Sequence, residues 1–269
     1  EYEVLPHVLD PYEAAQAGAP ILHEHQFTLG IEPKPKEPSN LFRTLGGEQG
    51  DLGQGFEKSD LVIEREFSSQ PVHQGYIEPL ACVASSSEDG AVELWTSTQG
   101  HFVARTLLSR LLNLDMSKFR VTASEIGGGF GGKTTIYHEP AAILLSMKTG
   151  RPVRSVMTRG EVLRATGPTV GSVCRIKMGA MKDGTLVAAD AEIWYQAGAF
   201  KGGPVARATD SFFSPYKIPN ARTACHDVCV NRPKAAAYRA PGAPMATWAA
   251  EAVINELANE LGLDPIEMR

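Results

Sequence analysis

The stretch EIGGGFGGKTT, Glu125 to Thr135, contains GGGFGGKT (Gly127–Thr134), which fits the phosphate-loop pattern G-x-x-x-x-G-K-[ST] at every position. In a nucleotide-binding enzyme those glycines would close backbone N–H groups around phosphate, Lys133 would reach the terminal phosphates and Thr134 would hold Mg²⁺. That reading commits the flanking chain to a buried parallel strand before the loop and to a helix starting at the Lys-Thr pair. The flanks read otherwise. FRVTASEI (119–126) alternates Arg120, Thr122 and Ser124 with apolar residues, the pattern of a half-exposed strand. Pro140 lies where the helix would need an interior N–H. Asp190, the best candidate for a Mg²⁺-holding aspartate, alternates outward with Glu192 on a hairpin. A P-loop nucleotide-binding protein acting through Gly127–Thr134 is therefore kept only as an alternative. Gly127, Gly128, Gly129, Gly131 and Gly132 leave Phe130 as the one side chain between 127 and 132, so the backbone is bare toward a ligand. Such a loop suits an oxyanion, an oxo group or a cofactor edge; a plain glycine linker is the other reading.

Working outward, VLDPYEAAQAGAP predicts a short helix with Asp10 as N-cap and Pro11 in its first turn. IEPKPKEPSNLFRTLGGEQGD, dense in Pro, Gly and charge, reads as a linker. Strands follow at DLVIEREF, at LACVASS and at AVELWTST, the last two joined through Asp89-Gly90 as a hairpin. HFVARTLLSRLLNL carries Phe102, Leu107, Leu108, Leu111 and Leu112 at helical spacing, and EPAAILLSMKTG predicts a helix from about Pro140 to Gly150. Two long strands surround Asp183-Gly184, and Met245, Trp248, Ala249, Ala252, Val253 and Leu257 form one stripe of a helix opening at Pro244 and stopping at Gly262. The expected fold class is α+β, with mixed sheets, long antiparallel hairpins and packed helices. The expected division is an N-terminal helix and extended linker over 1–55, then a main domain over 56–269.

The chain has 269 residues, 43% of them hydrophobic, with a formal net charge of −5. It has no apolar run of membrane length and no Lys/Arg block, so neither a membrane nor nucleic acid is an expected partner. Cys82, Cys174, Cys225 and Cys229 are too scattered for a disulfide scaffold and fit reduced thiols in a cytoplasmic protein. His226 between Cys225 and Cys229 raises a metal site, but the run alternates as a strand and no second ligand pair follows at zinc spacing, which favours buried strand thiols. His23 and His25 would point the same way on a strand and read as solvated surface.

Taken together, IGGGFGGK, TSTQG (96–100), AAAYRAPGAPMATWAAE (235–251) and LGLDPIEMR (261–269) resemble, in order and spacing, the molybdenum-binding subunit of the xanthine dehydrogenase and aldehyde oxidase family. VLPHVLDPYEA and HQGYIEPLACVA extend that resemblance over nearly the whole chain. The resemblance implies a molybdopterin cofactor, the cytosine dinucleotide form being one variant, and makes 56–269 the first part of a molybdopterin-binding domain. It implies that Gln99 hydrogen-bonds an oxo ligand of molybdenum and that Gly100, Gly129, Phe130 and Gly131 lie against the cofactor, with no residue of this chain bonded to the metal itself. Only Gly would then fit beside Phe130, because the cofactor lies there, and Lys133 becomes structural. Arg239 matches the family's active-site arginine, which holds substrate and stabilises negative charge.

The implied activity is oxidative hydroxylation of an aldehyde or an N-heterocyclic or aromatic substrate with oxygen from water. The implied partners are the remaining half of the molybdenum subunit, an iron-sulfur subunit and an FAD subunit that carry electrons away. Thr134 stands where purine-oxidising relatives carry an acidic residue, and Ala240-Pro241 where carbon monoxide dehydrogenases carry a cysteine. The general base of the family belongs to a stretch that this chain lacks, so Glu125, Glu139 and Glu251 read as anchoring, capping or helical carboxylates. A scaffold of the same family without activity is the alternative from another class.

Overall fold

The computed structural model describes residues 2–269. In chain order the elements are α1 (Pro11–Ala14), β1 (Leu41–Gln49), α2 (Leu52–Lys58), β2 (Leu61–Ser69), β3 (Ala81–Ser86), β4 (Val92–Thr96), α3 (His101–Leu112) and β5 (Phe119–Ala123). They continue through α4 (Glu139–Thr149), β6 (Val153–Val156), α5 (Arg159–Ala165), β7 (Gly171–Ala180), β8 (Leu186–Gly198), α6 (Val205–Ser211), β9 (Asn220–Cys229) and α7 (Ala243–Leu261). Two compact units share them. One combines the chain up to Val72 with Val170–Ala235 and Ala240–Arg269; the other is His73–Thr169 with Ala236–Arg239.

The first unit is built on a five-stranded sheet, β1-β9-β8-β7-β2. The β7/β8 hairpin turns at Gly184, whose φ of +88° places it in the left-handed region where a side chain would strain the backbone. β8 and β9 run parallel, so the chain must cross over between them, and α6 lies in that crossover. Period-two alternation sorts β8: Ala189, Ala191, Ile193 and Tyr195 enter the core, where Ala246, Ala249, Ala250, Val253, Ile254 and Leu257 of α7 meet them. On the opposite face Asp190 pairs with Arg222 at 2.7 Å and Glu192 with His226 at 2.8 Å. Cys225 and Cys229 are buried free thiols, while His226 is occupied by Glu192 and Thr44, so this run forms strand packing and a hydrogen-bonded histidine.

The second unit is a four-stranded sheet, β5-β4-β3-β6, with β3/β4 antiparallel through the Asp89-Gly90 turn and β4/β5 parallel through α3. Cys82, Ala84, Val92 and Leu94 from the sheet pack with Leu108 of α3 and Ala142 and Ile143 of α4. β5 is an edge strand, buried at Phe119 and largely exposed after it. The helix after the glycine loop starts at Glu139 and ends on left-handed Gly150.

Several expectations need correction. Leu41–Gln49, read as linker, is an edge strand paired with β9. Its Gly46 looks like a turn signal but serves close backbone approach, since a Cβ there would lie 1.9 Å from the Thr223 carbonyl oxygen. Leu52–Lys58 is a helix capped by Asp51, so a boundary after residue 55 falls inside α2, and residues on both sides of it belong to one unit. His23 and His25 are not on a strand; the His23 ring stacks on Phe200 at 5.5 Å. On α3, Phe102 and Leu111 face outward and Ala104 and Leu108 supply the buried contacts. Trp248 of α7 is half exposed, edge-on to Phe67.

Ile193 is completely buried at the centre of the larger sheet. Ile193→Ala is expected to destabilise the protein by about 2–5 kcal/mol, the range for a deleted branched side chain whose cavity does not collapse. Urea unfolding checks this as a lower midpoint at unchanged slope.

Candidate functional site

The predicted site residues that lie in the second unit, Gln99, Gly100, Gly129, Phe130, Gly131 and Arg239, come together around the glycine loop. β4 leads into the buried residues Thr96, Ser97 and Thr98, and the next residue, Gln99, emerges at the surface just before α3. Its backbone N–H donates to the Lys133 carbonyl at 2.9 Å. Its side-chain Oε1 accepts from the N–H groups of Gly131 at 2.9 Å and Lys133 at 3.2 Å. Gly100 caps α3 with its N–H on Thr98 Oγ1.

The two ends of the loop are held by one carboxylate. Glu78 Oε2 accepts from the Gly127 N–H at 2.8 Å and from Lys133 Nζ at 2.6 Å, and the Glu78 N–H returns to the Gly127 carbonyl at 3.1 Å. The Lys133 side chain is 0% exposed and lies over the Tyr76 ring. Partial burial pushes the Glu78 carboxyl up, but the Lys133 ammonium and the Gly127 N–H together outweigh it and hold the group below its ordinary range. A depressed carboxylate contributes stability above its unfolded-state pKa and loses it as pH falls through the folded-state value, so this tie is fully made at neutral pH and weakens only in acid.

The loop's glycines answer to the protein's own atoms. A Cβ on Gly129 would lie 2.6 Å from Gln99 Oε1, and one on Gly131, at φ +103°, would lie 2.7 Å from the Ala237 carbonyl oxygen. The expectation that a cofactor alone forbids side chains beside Phe130 is thereby corrected. Gly100 is not forced in this way, because its Cβ would only make ordinary contact with Val103. Phe130 itself has φ +52° and a half-exposed ring. Its carbonyl accepts from the Arg239 N–H at 2.9 Å. The segment carrying Arg239 is tied further by Ala236 N–H to Pro168 at 2.8 Å and by Gln74 Nε2 to Ala237 at 2.9 Å.

Several donors at the loop remain unpaired. Among the described residues the N–H groups of Gly128, Gly129 and Phe130, the Gln99 Nε2 and the exposed Arg239 guanidinium have no internal acceptor. Successive N–H groups with left-handed φ at Gly128 and Phe130 make an anion-binding concavity, and such a cluster of free donors suits oxo or phosphate oxygens. It also disposes of the triphosphate reading: Lys133 is committed to Glu78, Thr134 Oγ1 donates to the Gly131 carbonyl, and no helix begins at this pair. Glu139 is a buried anchor, accepting from Thr96 Oγ1 and Tyr137 N–H, and Glu251 is engaged by Tyr216 and Arg269. Among the described residues no cluster of three metal-ligating side chains occurs, and no helix is long and apolar enough to cross a membrane. Glu78 and Gln74 escaped the sequence reading; the one signal was a Gln and a Glu set among apolar residues in HQGYIEPL.

Comparison with known proteins identifies the family and the fold. The model of the molybdopterin cofactor-binding domain matches residues 33–269. The chain is 31% identical over 272 residues to the nicotinate dehydrogenase large molybdopterin subunit of Eubacterium barkeri, covering all of this chain and 61% of that protein. It is 32% identical over 272 residues to a probable xanthine dehydrogenase subunit of Bacillus subtilis, all of this chain against 35% of that one. The aldehyde oxidoreductase of Desulfovibrio gigas superposes with a TM-score of 0.84 at 27% identity, over 99% of this chain and 28% of that one. CO dehydrogenase from Oligotropha carboxidovorans gives 0.82 at 27% identity, over 100% and 35%. The chain thus spans 61% of the length of the first of these proteins and about a third of the others.

Gly131→Ala is expected to cost on the order of 1–3 kcal/mol from left-handed backbone strain, with faster amide exchange through the loop. Mg²⁺-ATP at millimolar concentration is expected to leave the melting temperature unchanged, whereas a ligand at about 100 times its dissociation constant would add roughly 2.7 kcal/mol.

Proposed function

The chain belongs to the molybdopterin cofactor-binding domain family, among the xanthine dehydrogenase and aldehyde oxidoreductase group of molybdenum hydroxylases, and we propose that it supplies one wall of the molybdenum site of an enzyme that hydroxylates an aldehyde or N-heterocyclic substrate. The observation that carries this reading is the cluster of free donors made by the N–H groups of Gly128, Gly129 and Phe130 with Gln99 Nε2 and Arg239. The oxygen-rich periphery of a molybdopterin fits such a cluster, because each of these groups offers it a hydrogen. When bound, that cofactor supplies a Lewis-acidic metal and a two-electron sink.

The chain's own residues then have separable tasks. Gln99 divides its amide: Oε1 holds the loop while Nε2 points its hydrogens at an oxo-type oxygen. Gly100, Gly129, Phe130 and Gly131 present backbone close to the cofactor. Arg239, whose backbone N–H is tied to Phe130, offers a free guanidinium to a substrate carboxylate or carbonyl. Thr134, whose hydroxyl is turned onto the Gly131 carbonyl, offers no acid in the position that purine oxidation would use. Ala240 and Pro241 leave no thiol after the arginine, which argues against carbon monoxide. No free carboxylate of this chain is assigned as the base; the proton acceptor, further contacts to the cofactor and the electron exit belong to the rest of the molybdenum protein and to iron-sulfur and FAD partners in the cytoplasm. A cytosine dinucleotide form of the cofactor would extend beyond these residues.

In the complete enzyme, Gln99→Glu keeps an acceptor for Gly131 and Lys133 but turns the free donor into a second acceptor. Its kcat is expected to fall about 10²-fold or more, as for a lost transition-state donor. Arg239→Ala is expected to retain molybdenum by elemental analysis while kcat/KM drops by an amount on the order of 2–4 kcal/mol. Wild-type enzyme free of stoichiometric molybdenum would instead favour a scaffold without activity.

A further inference from the structure

We infer that Glu78 and Lys133 are a positioning pair: a carboxylate–ammonium clamp that closes the mouth of the glycine loop and holds its free N–H groups in register. The inference rests on the reading of the loop as a cofactor wall, and it assigns a task to two residues that touch no ligand in that reading.

A loop with five glycines over 127–132 has little conformational preference of its own, so its shape must come from ties made at its edges. Glu78 makes three of them: Oε2 to the first N–H of the loop at Gly127, Oε2 to the ammonium that ends it at Lys133, and its own N–H to the Gly127 carbonyl. The middle is pinned by Gln99 Oε1 on Gly131 and Lys133. Between these ties lie Gly128, Gly129 and Phe130, whose N–H groups stay unpaired, so the clamp sets where they point without consuming them. Burial makes the clamp stringent. The Lys133 ammonium has no exposure, and among the described residues Glu78 is its one anionic partner within ion-pair distance. Removing the Glu78 charge leaves the buried Lys133 ammonium uncompensated over the Tyr76 ring, so the loop must rearrange. A surface ion pair would carry no such obligation. The space is already shaped to the pair: a Cβ on Gly127 would lie 2.7 Å from Glu78 Cβ, and one on Gly132 would lie 2.8 Å from Tyr76 Cε1.

The test uses the complete molybdenum enzyme that carries this chain, as Glu78→Gln and Glu78→Asp. Gln keeps an acceptor for Gly127 but abolishes the charge; Asp keeps the charge but shortens the reach to both donors. Amide exchange over 127–133 is read on metal-free protein, and molybdenum content, kcat, KM and the Mo(V) electron paramagnetic resonance spectrum on loaded protein. Exchange over the loop is expected to rise about tenfold or more while peptides of β3, β4 and α4 keep wild-type protection. Molybdenum is expected to stay near the wild-type level, with kcat down about tenfold, KM within about twofold and a shifted Mo(V) spectrum, because a misaimed donor is felt mainly in the transition state. Loop exchange and kcat within about twofold of wild type in both variants would overturn the clamp, as would loss of protection spread evenly over the unit, which marks a merely structural pair. A wild-type enzyme without molybdenum would defeat the cofactor reading, while the exchange arm would still decide the clamp.

Discussion

A lysine ammonium with no exposure needs an anion, and in this chain that need organises the site. Lys133 reaches Glu78 at 2.6 Å, and the same carboxylate oxygen takes the Gly127 N–H. Breaking a buried pair by removing one partner costs about 3–5 kcal/mol in general, because the remaining charge is stranded. The loop therefore folds as a ring closed at its base, and everything its rim can offer to a ligand follows from where the ring is closed.

Gln99 converts that closure into chemistry. A side-chain amide carries its acceptor oxygen and its two-hydrogen donor nitrogen in one plane, diverging from a common carbon, so engaging Oε1 with two loop N–H groups orients Nε2 away from them. Thr98, Thr96 and Glu139 hold the strand end from which Gln99 projects, through hydrogen bonds buried behind the loop. Burial of Glu139 and Lys133 in one unit is tolerated because each finds its partners inside it.

Much of the architecture is legible in the pattern of residues. The hairpins at Asp89-Gly90 and Asp183-Gly184, the amphipathic α7 and the glycine stop of α4 were read from turn residues and periodicity that act locally. β1, α2 and α6 were not, for physical reasons. β1 carries two adjacent glycines that read as a turn, and Gly46 serves close approach to β9, a contact with residues about 180 positions away. α2 contains Gly53 and Gly55, and α6 is a single short crossover without a stripe, so neither shows helical periodicity.

The sequence by itself determined that the glycine loop has a half-exposed strand before it and a delayed helix after it, which weighs against a phosphate loop, and the resemblance of its motifs pointed to the family. The first two are properties of local order and periodicity. Tertiary structure alone decided what the glycines and Lys133 are for. It showed that side chains at Gly129 and Gly131 are excluded by Gln99 and Ala237, that Arg239 is threaded to Phe130, and that Glu78, 55 residues before Lys133, is its counter-ion. Hydrogen bonds and ion pairs between residues so far apart depend on distances that only the folded chain sets, and no periodicity encodes them.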